Sequence, residues 1–372
     1  MILSVIVFFT AVFLAYTNGA NDNFKGVATL YGSKTLNFKN SLYLGTILTF
    51  AGALVSIYFS TELVKIFSGK GLVPDEIAIE PAFLFTVGLA AAGTVLIATL
   101  SGFPISTTHS LTGALLGAGL IATDGQANFS ILTDKIITPL VLGPIVAVIL
   151  CVLVYFPLHR FKRRWKLAPE ACLCIERAEP VRLTSRNTVS FIATKALPWR
   201  IRANESACLP DFNSQIKGLS IKSAVKWAHM ASGALVSFAR GLNDTPKIVG
   251  LIVTIQLFDI QWGLLAIALG MAAGGLLNAA KVARTMSEKI TSMTEGQGFS
   301  ANFVTGLLVL FASKFGLAVS TTHVSVGAIF GIGLINKKAD IRTINSILLS
   351  WLLTLPVAIG LSAAIYWMIG NS

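Results

Sequence analysis

The sequence predicts an all-α polytopic membrane protein. It would be built of two inverted-topology repeats of about five transmembrane helices each (more if re-entrant hairpins are counted), with broken helices at the midplane. Three observations predict this: the chain is apolar, its apolar residues run in blocks, and two short motifs recur in the same order in its two halves. Of 372 residues, 54% are hydrophobic and 12% are charged, against roughly 25% charged in an average soluble chain. Mean hydropathy is +0.74. So few charged groups do not cover a water-facing surface, which excludes a soluble enzyme and a disordered chain. Blocks rather than alternation favour helices over a barrel, since a helix satisfies its own backbone in lipid.

The apolar stretches fall near 2–18, 41–60, 82–101, 105–122 and 136–158, then near 225–256, 262–280, 301–318, 319–336 and 345–369. Those near 105 and 319 are shorter and richer in Gly, Ser and Thr, and are expected to be re-entrant or broken. The organisation read from this is an N-terminal membrane repeat (1–158), a basic loop (159–224) and a C-terminal inverted membrane repeat (225–372). Between positions 158 and 226, 14 Lys and Arg stand against 5 acids. A nucleic-acid or anionic partner is one reading of that excess. The first basic cluster (Arg160, Lys162, Arg163, Arg164, Lys166) directly follows a span, however, so the loop is read as cytoplasmic under the positive-inside rule, with no nucleic-acid partner. Its apolar pieces at 189–193 and 196–199 are expected to form small helices lying on the membrane.

With that loop inside, Lys34, Lys39, Lys281, Arg284, Lys289, Lys337, Lys338 and Arg342 also fall inside. Residues 61–80, Asp124, Asp134, Asp259 and both termini fall outside. Residues 2–18 have no basic leader and are read as a retained helix rather than a signal peptide. The four cysteines (Cys151, Cys172, Cys174, Cys208) lack the spacing of a zinc site and read as free thiols.

Gly19-Ala20-Asn21-Asp22-Asn23-Phe24-Lys25 recurs as Gly241-Leu242-Asn243-Asp244-Thr245-Pro246-Lys247, with Gly, Asn, Asp and Lys at one offset. Pro104-Ile105-Ser106-Thr107-Thr108-His109 recurs as Ala318-Val319-Ser320-Thr321-Thr322-His323. Five spans per half is an odd number, so the second copy enters the membrane from the opposite side. Inverted repeats of this kind mark secondary transporters with a site at the midplane between the halves.

Asp22 and Asp244 are acids in apolar surroundings, where a charge costs a few kcal/mol or more and signals a functional site with a partner. Gly19 and Gly241 are expected to break their helices and free backbone carbonyls. Carbonyl, Asn amide oxygen and carboxylate are the hard ligands a sodium ion takes. The bland alternative is a structural ion pair with Lys25 or Lys247, three residues on along the same helical face. Ser-Thr-Thr is different chemistry: hydroxyls and free N–H groups at a helix start make an anion site. Its bland alternative is Ser/Thr glue between helices. His109 and His323 would relay protons, or be buried imidazoles bonding a carbonyl. The motifs supply few cations (Lys25, Lys247 and Arg240), so two carboxylates and an oxyanion call for co-bound cations. Energetics agree, because each charge crossing 100 mV is worth about 2.3 kcal/mol.

The paired Gly-x-Asn-Asp motifs resemble the duplicated signature of the inorganic phosphate transporter (PiT) family, and the chain covers the family core nearly end to end. The resemblance implies uptake of inorganic phosphate coupled to sodium in some members, and to protons, sometimes as a metal–phosphate complex, in others. It also implies a homodimer in membrane lipid, located in the cell membrane, with no cofactor beyond the transported sodium and phosphate. Phosphate is expected at Ser106, Thr107, Thr108, Ser320, Thr321 and Thr322 with Asn21 and Asn243. Sodium is expected at Asp22, Asp244, Asn21, Asn243, Thr108 and Thr322. After the first Asp many members continue with small residues, whereas this chain has Asn23-Phe24-Lys25. The expected function is therefore phosphate import by sodium symport. The rivals are a proton-coupled phosphate, metal–phosphate or sulfate symporter, an anion channel and an intramembrane phosphatase. The last is disfavoured because duplicated residues do not supply a distinct nucleophile and base.

Overall fold

The fold is seen in a computed structural model that describes residues 2–164, 172–175, 181–185, 188–192, 199–202, 217–255 and 259–370. The chain divides into two compact units, Met1–Tyr155 with His229–Ser372, and Phe156–Ala228.

Among the described residues, ten long helices coincide with the ten apolar stretches and build the first unit, the last residues of the fifth and the first of the sixth falling in the second. They are α1 (Ile2–Asp22), α2 (Phe38–Phe59), α3 (Pro81–Ser101), α4 (Thr107–Ala122), α5 (Thr138–Arg164), α6 (Ile221–Val253), α7 (Ile260–Asn278), α8 (Glu295–Lys314), α9 (Thr321–Asn336) and α10 (Ile341–Gly370). The order is that of two inverted-topology repeats, α1–α5 and α6–α10. Six helices among the described residues are long and apolar enough to cross a membrane: α1, α2, α3, the run Thr133–Phe161 containing most of α5, α7 and α10. Helices α4 and α9 have 16 residues each, about 24 Å at 1.5 Å per residue, less than the roughly 30 Å of the hydrocarbon core. Helix α6 carries Arg240, Asp244 and Lys247 in its second half.

The breaks lie elsewhere than the sequence suggests. Gly19 and Gly241 sit inside continuous helices. Helices α3 and α8 are the ones that stop, and the glycines that stop them are Gly102 (φ 77°) and Gly316 (φ 66°). At each, the residue beyond the glycine closes the turn: Phe103 N–H donates to the Ala98 carbonyl and Leu317 N–H to the Ala312 carbonyl, both at 2.9 Å. This is the left-handed helix ending that glycine permits. A short extended stretch follows, and then α4 and α9 start, capped by Ser106 and Ser320.

Gly19 and Gly241 serve close packing instead. A Cβ at Gly19 would overlap the Met271 carbonyl of α7, and one at Gly274 of α7 would overlap the Tyr16 carbonyl of α1. The same pair recurs one repeat on, Gly241 against the Thr49 carbonyl and Gly52 against the Phe238 carbonyl. Small residues let helix backbones meet in this way. Helix α1 thus packs on α7, and its repeat-mate α6 on α2. Likewise α4 packs on α10 through Gly113 and Gly117, and α9 on α5 through Gly327 and Gly331. Each repeat lends its helices to the other.

The second unit holds, among the described residues, five short strands: β1 (Cys172–Ile175), β2 (Val181–Ser185), β3 (Thr188–Ile192), β4 (Trp199–Arg202) and β5 (Lys217–Ser220). Antiparallel β4-β1-β5 forms one sheet and antiparallel β2-β3 another. The helix expected at 189–193 is corrected, since Val189–Ile192 belong to β3, where alternating Thr, Val, Ser, Phe and Ile suit a pleated strand. Of the piece at 196–199, Trp199 opens β4 and the remainder lies outside the described residues.

Candidate anion and cation site between the repeats

The two motifs of each repeat meet in one buried network. Helix α1 ends at Asp22, and turns follow, with Lys25 N–H donating to the Asp22 carbonyl at 3.1 Å. Helix α6 runs on through Pro246. Proline lacks an N–H, so the carbonyl four residues back loses its helical donor, and Ser60 Oγ donates to that Leu242 carbonyl at 3.2 Å.

Both ion pairs weighed from the sequence form. Lys25 Nζ bonds the Asp22 carboxylate, and Lys247 Nζ lies 3.2 Å from Asp244 Oδ1. Each ammonium also reaches the other motifs. Lys25 Nζ donates to Asn21 Oδ1 (3.0 Å), the Ile105 carbonyl (2.7 Å) and Thr322 Oγ1 (2.5 Å). Lys247 Nζ donates to Thr108 Oγ1 (2.8 Å) and the Val319 carbonyl (2.9 Å). The Thr contacts are crossed, each lysine reaching the half-helix start of the opposite repeat. Thr322 Oγ1 itself donates to the Ile105 carbonyl at 2.7 Å, so the two helix starts touch.

The asparagines hold the extended stretches in place. Asn21 Nδ2 donates to Thr99 Oγ1 (2.9 Å) and the Phe103 carbonyl (3.0 Å), while its Oδ1 accepts from Ile105 N–H (3.1 Å). Asn243 Nδ2 donates to the Val319 carbonyl (3.2 Å) and Asp244 Oδ1 (3.0 Å), and its Oδ1 accepts from Ser313 Oγ (3.2 Å). Thr99 and Ser313 are one more repeated pair.

The structure therefore brings Asn21, Asp22, Asn243, Asp244, Thr107, Thr108 and Thr322 together. Thr107 accepts from Asn18 Nδ2 at 3.0 Å and donates to Asp22 Oδ2 at 3.4 Å. Ser106 and Ser320 act as caps, each Oγ accepting the N–H of the His three residues on at 3.2 Å. Thr321 is buried in the first turn of α9.

Asn18 and Arg240 are the residues the motif reading undervalues. Arg240 is fully buried. It donates to Asn18 Oδ1 (2.7 Å), Thr49 Oγ1 (3.2 Å) and Asn23 Oδ1 (3.3 Å), and its Nε lies 3.6 Å from Asp244 Oδ2. Asn18 Nδ2 reaches both carboxylates, Asp22 Oδ2 at 3.3 Å and Asp244 Oδ2 at 3.5 Å. The two occupy the same place one residue before each repeated glycine. Extending the motif one position backwards finds them.

Lys25, Lys247 and Arg240 against Asp22 and Asp244 make the centre a formal +1. The expectation that the motifs are short of cations is thereby corrected: with Arg240 drawn in, the protein's own cations outnumber its acids here.

His109 and His323 lie one turn into α4 and α9, with ring centroids 4.6 Å apart. His323 stacks on Trp351 at 3.8 Å, and its Nδ1 is 3.3 Å from the Leu140 carbonyl. That is the buried, carbonyl-bonded imidazole. A cleft of about 280 Å³ opens beside Phe103, lined also by Thr285, Lys289, Arg342 and Ser346.

Residues 18–362 match the model of the phosphate transporter family. The chain is 28% identical to a putative phosphate permease of Thermococcus kodakarensis, over 98% of this chain and 97% of that one. It is 26% identical to the chloroplastic inorganic phosphate transporter 2-1 of Arabidopsis thaliana, over 99% of this chain and 72% of the relative. A solved structure, described as the sodium-dependent phosphate transporter, superposes with a TM-score of 0.72 at 23% identity, covering 100% of both chains.

Proposed function

Because the chain belongs to the phosphate transporter family, and so is a transporter rather than an enzyme, we propose that it imports inorganic phosphate by secondary active transport, with the anion bound at the Asp22–Lys25 and Asp244–Lys247 centre. One observation carries this reading. Two Ser-Thr-Thr helix starts from opposite repeats converge on a buried centre of charge +1, where Lys247 and Lys25 already hold Thr108 and Thr322. Helix starts offer free N–H groups to an oxyanion, and the ammonium groups add charge-assisted donors.

In this reading phosphate is held by Ser106, Thr107, Thr108, Ser320, Thr321 and Thr322 with Asn21 and Asn243. The cleft holding Lys289 and Arg342 lies on the side assigned to the cytoplasm and serves as its release mouth. The basic loop faces the cytoplasm, the membrane is the cell membrane, and the exposed apolar helix faces contact lipid. A homodimer is the assembly implied by the resemblance, and mass measurement in nanodiscs tests it.

Two couplings compete. Sodium symport, with Asp22, Asp244, Asn21, Asn243, Thr108 and Thr322 as ligands, draws support from the solved relative, a transporter described as sodium-dependent. Proton coupling is favoured by a specific observation: ammonium groups stand among those same oxygens.

Labelled-phosphate uptake into proteoliposomes, with sodium and pH varied separately, tests the reading. Accumulation against a gradient is expected, and inhibition by sulfate no better than by chloride. Thr108→Val and Thr322→Val should each raise the half-saturating phosphate concentration severalfold. Downhill flux alone would make the protein a channel, and uptake of sulfate in preference would change the substrate.

A further inference from the structure

Among the described residues, three of the largest fully buried side chains are cationic: Arg240, Lys25 and Lys247. Two of them end in oxygen cages. Around Lys25 Nζ stand the Asp22 carboxylate, the Asn21 amide oxygen, the Ile105 carbonyl and the Thr322 hydroxyl. Around Lys247 Nζ stand the Asp244 carboxylate, the Val319 carbonyl and the Thr108 hydroxyl. Carboxylate, amide, carbonyl and hydroxyl oxygens are what a hard monovalent cation takes from a protein in place of water. An ammonium group carries the same charge and satisfies the same oxygens through its three N–H bonds.

We propose that Lys25 and Lys247 are tethered counter-cations that fill the two repeated cation cages, so that this transporter moves its anion without sodium at either cage. The inference rests on the phosphate reading above and narrows it.

Three features of the geometry support it. First, the occupancy is symmetric: the same position of each repeat supplies the ammonium, and the same carbonyl of each extended stretch accepts from it (Ile105, Val319). A single chance contact does not repeat across a duplication. Second, each ammonium straddles the seam, joining its own aspartate to a threonine of the other repeat. That is the bridging place in which a bound cation would make the anion site depend on the ion. Third, the charges close. With both lysines and Arg240 in place the centre stands at +1, which a monovalent oxyanion neutralises. For aqueous sodium to enter a cage it must expel a covalently attached ammonium from a fully buried position, leaving that charge among apolar helices at a cost of several kcal/mol.

The test compares sodium with choline at fixed pH, using the full chain in proteoliposomes and labelled inorganic phosphate. Wild-type initial rates are expected to agree within twofold in the two salts. Sodium should also leave the thermal midpoint of the purified protein unmoved relative to choline. In the Lys25→Ser, Lys247→Ser double variant the cages are opened. Uptake in choline should fall at least tenfold, and sodium should both restore part of it and raise the thermal midpoint. A wild-type rate tenfold higher in sodium than in choline would overturn the inference while leaving phosphate transport standing. So would a double variant that folds and ignores sodium in both assays. No phosphate uptake by wild type in any salt would instead overturn the underlying reading.

Discussion

The two halves of the centre follow one plan and part company in charge at one buried position. Asn18 and Arg240 occupy equivalent places, and Arg240 reaches across to donate to Asn18 Oδ1 at 2.7 Å. Two arginines would set guanidinium against guanidinium in a space closed to water, and two asparagines would leave the centre neutral. The pair as it stands gives an uneven charge count in an otherwise matched frame. The lesson is a division of labour: the repeated residues build the cages and the helix starts, while the unlike pair Asn18 and Arg240 sets the sign of the charge offered to a ligand. The helices differ accordingly, with α1 ending at Asp22 and α6 carrying the equivalent segment onward through Pro246.

The largest effects should come from the aspartates, and they should be unequal. Removing one partner of a buried ion pair costs about 3–5 kcal/mol. Asp22→Asn strands Lys25, whereas Asp244→Asn strands Lys247 and also strips Arg240 of its carboxylate. Both should nearly abolish uptake, with Asp244→Asn lowering the thermal midpoint further. Equal midpoints would mean that Asp244 adds nothing to the hold of Asn18, Asn23 and Thr49 on Arg240.

Next come the packing glycines, where the halves should behave alike. Gly52→Ala and Gly274→Ala each force a methyl into a facing carbonyl, and overpacking of this kind costs about 1–3 kcal/mol. Thermal unfolding in detergent should show matched losses. A variant that is tolerated on one side only would break the equivalence of the two crossings.

Arg240→Asn makes the second half resemble the first. It should raise the half-saturating phosphate concentration about tenfold, equivalent to about 1.4 kcal/mol, in uptake titrations. An unchanged value would remove the guanidinium from the ligand's field.

The smallest difference concerns the fifth helix of each repeat. Helix α5 is entered through a π-helical turn at Thr133–Ile137, whereas α10 is entered through Asp340, which caps it. The N–H groups of Thr343 and then Arg342 hold the Asp340 carboxyl below the usual carboxylate range. Since the folded value is the lower one, the cap's contribution is present above the ordinary carboxylate pKa and fades as pH falls through the folded value. Hydrogen-exchange protection in the first turn of α10, taken relative to the intrinsic rate at each pH, should fall at acid pH, and Asp340→Asn should remove that pH dependence while keeping a cap.

Much of this is legible in the sequence because duplication makes a weak motif countable. The ten stretches, the odd number per half and the convergence of Asp and Thr motifs all follow from residues whose recurrence has no other cause. Two things escape. Proximity to the acids points to Gly19 and Gly241 as the helix breaks. The positions that reverse the chain, Gly102 and Gly316, lie at the same spacing but are followed by Phe103 and Leu317, whose identities do not match. The charge of the centre is hidden as well, because a lysine three residues from an aspartate reads as a local pair. Nothing in a linear chain says that its Nζ ends on a threonine of the other half, as Lys25 does on Thr322.

The exchanged packing of α1 on α7 and of α2 on α6 bears on how the protein is made. A nascent first half leaves the ribosome with its glycine-lined grooves open, their partners still untranslated. Biogenesis must keep those helices in a loose, lipid-solvated arrangement until the second half arrives and clasps them. Two half-chains produced in the same cell should therefore reconstitute one transporter, and either produced by itself should be degraded.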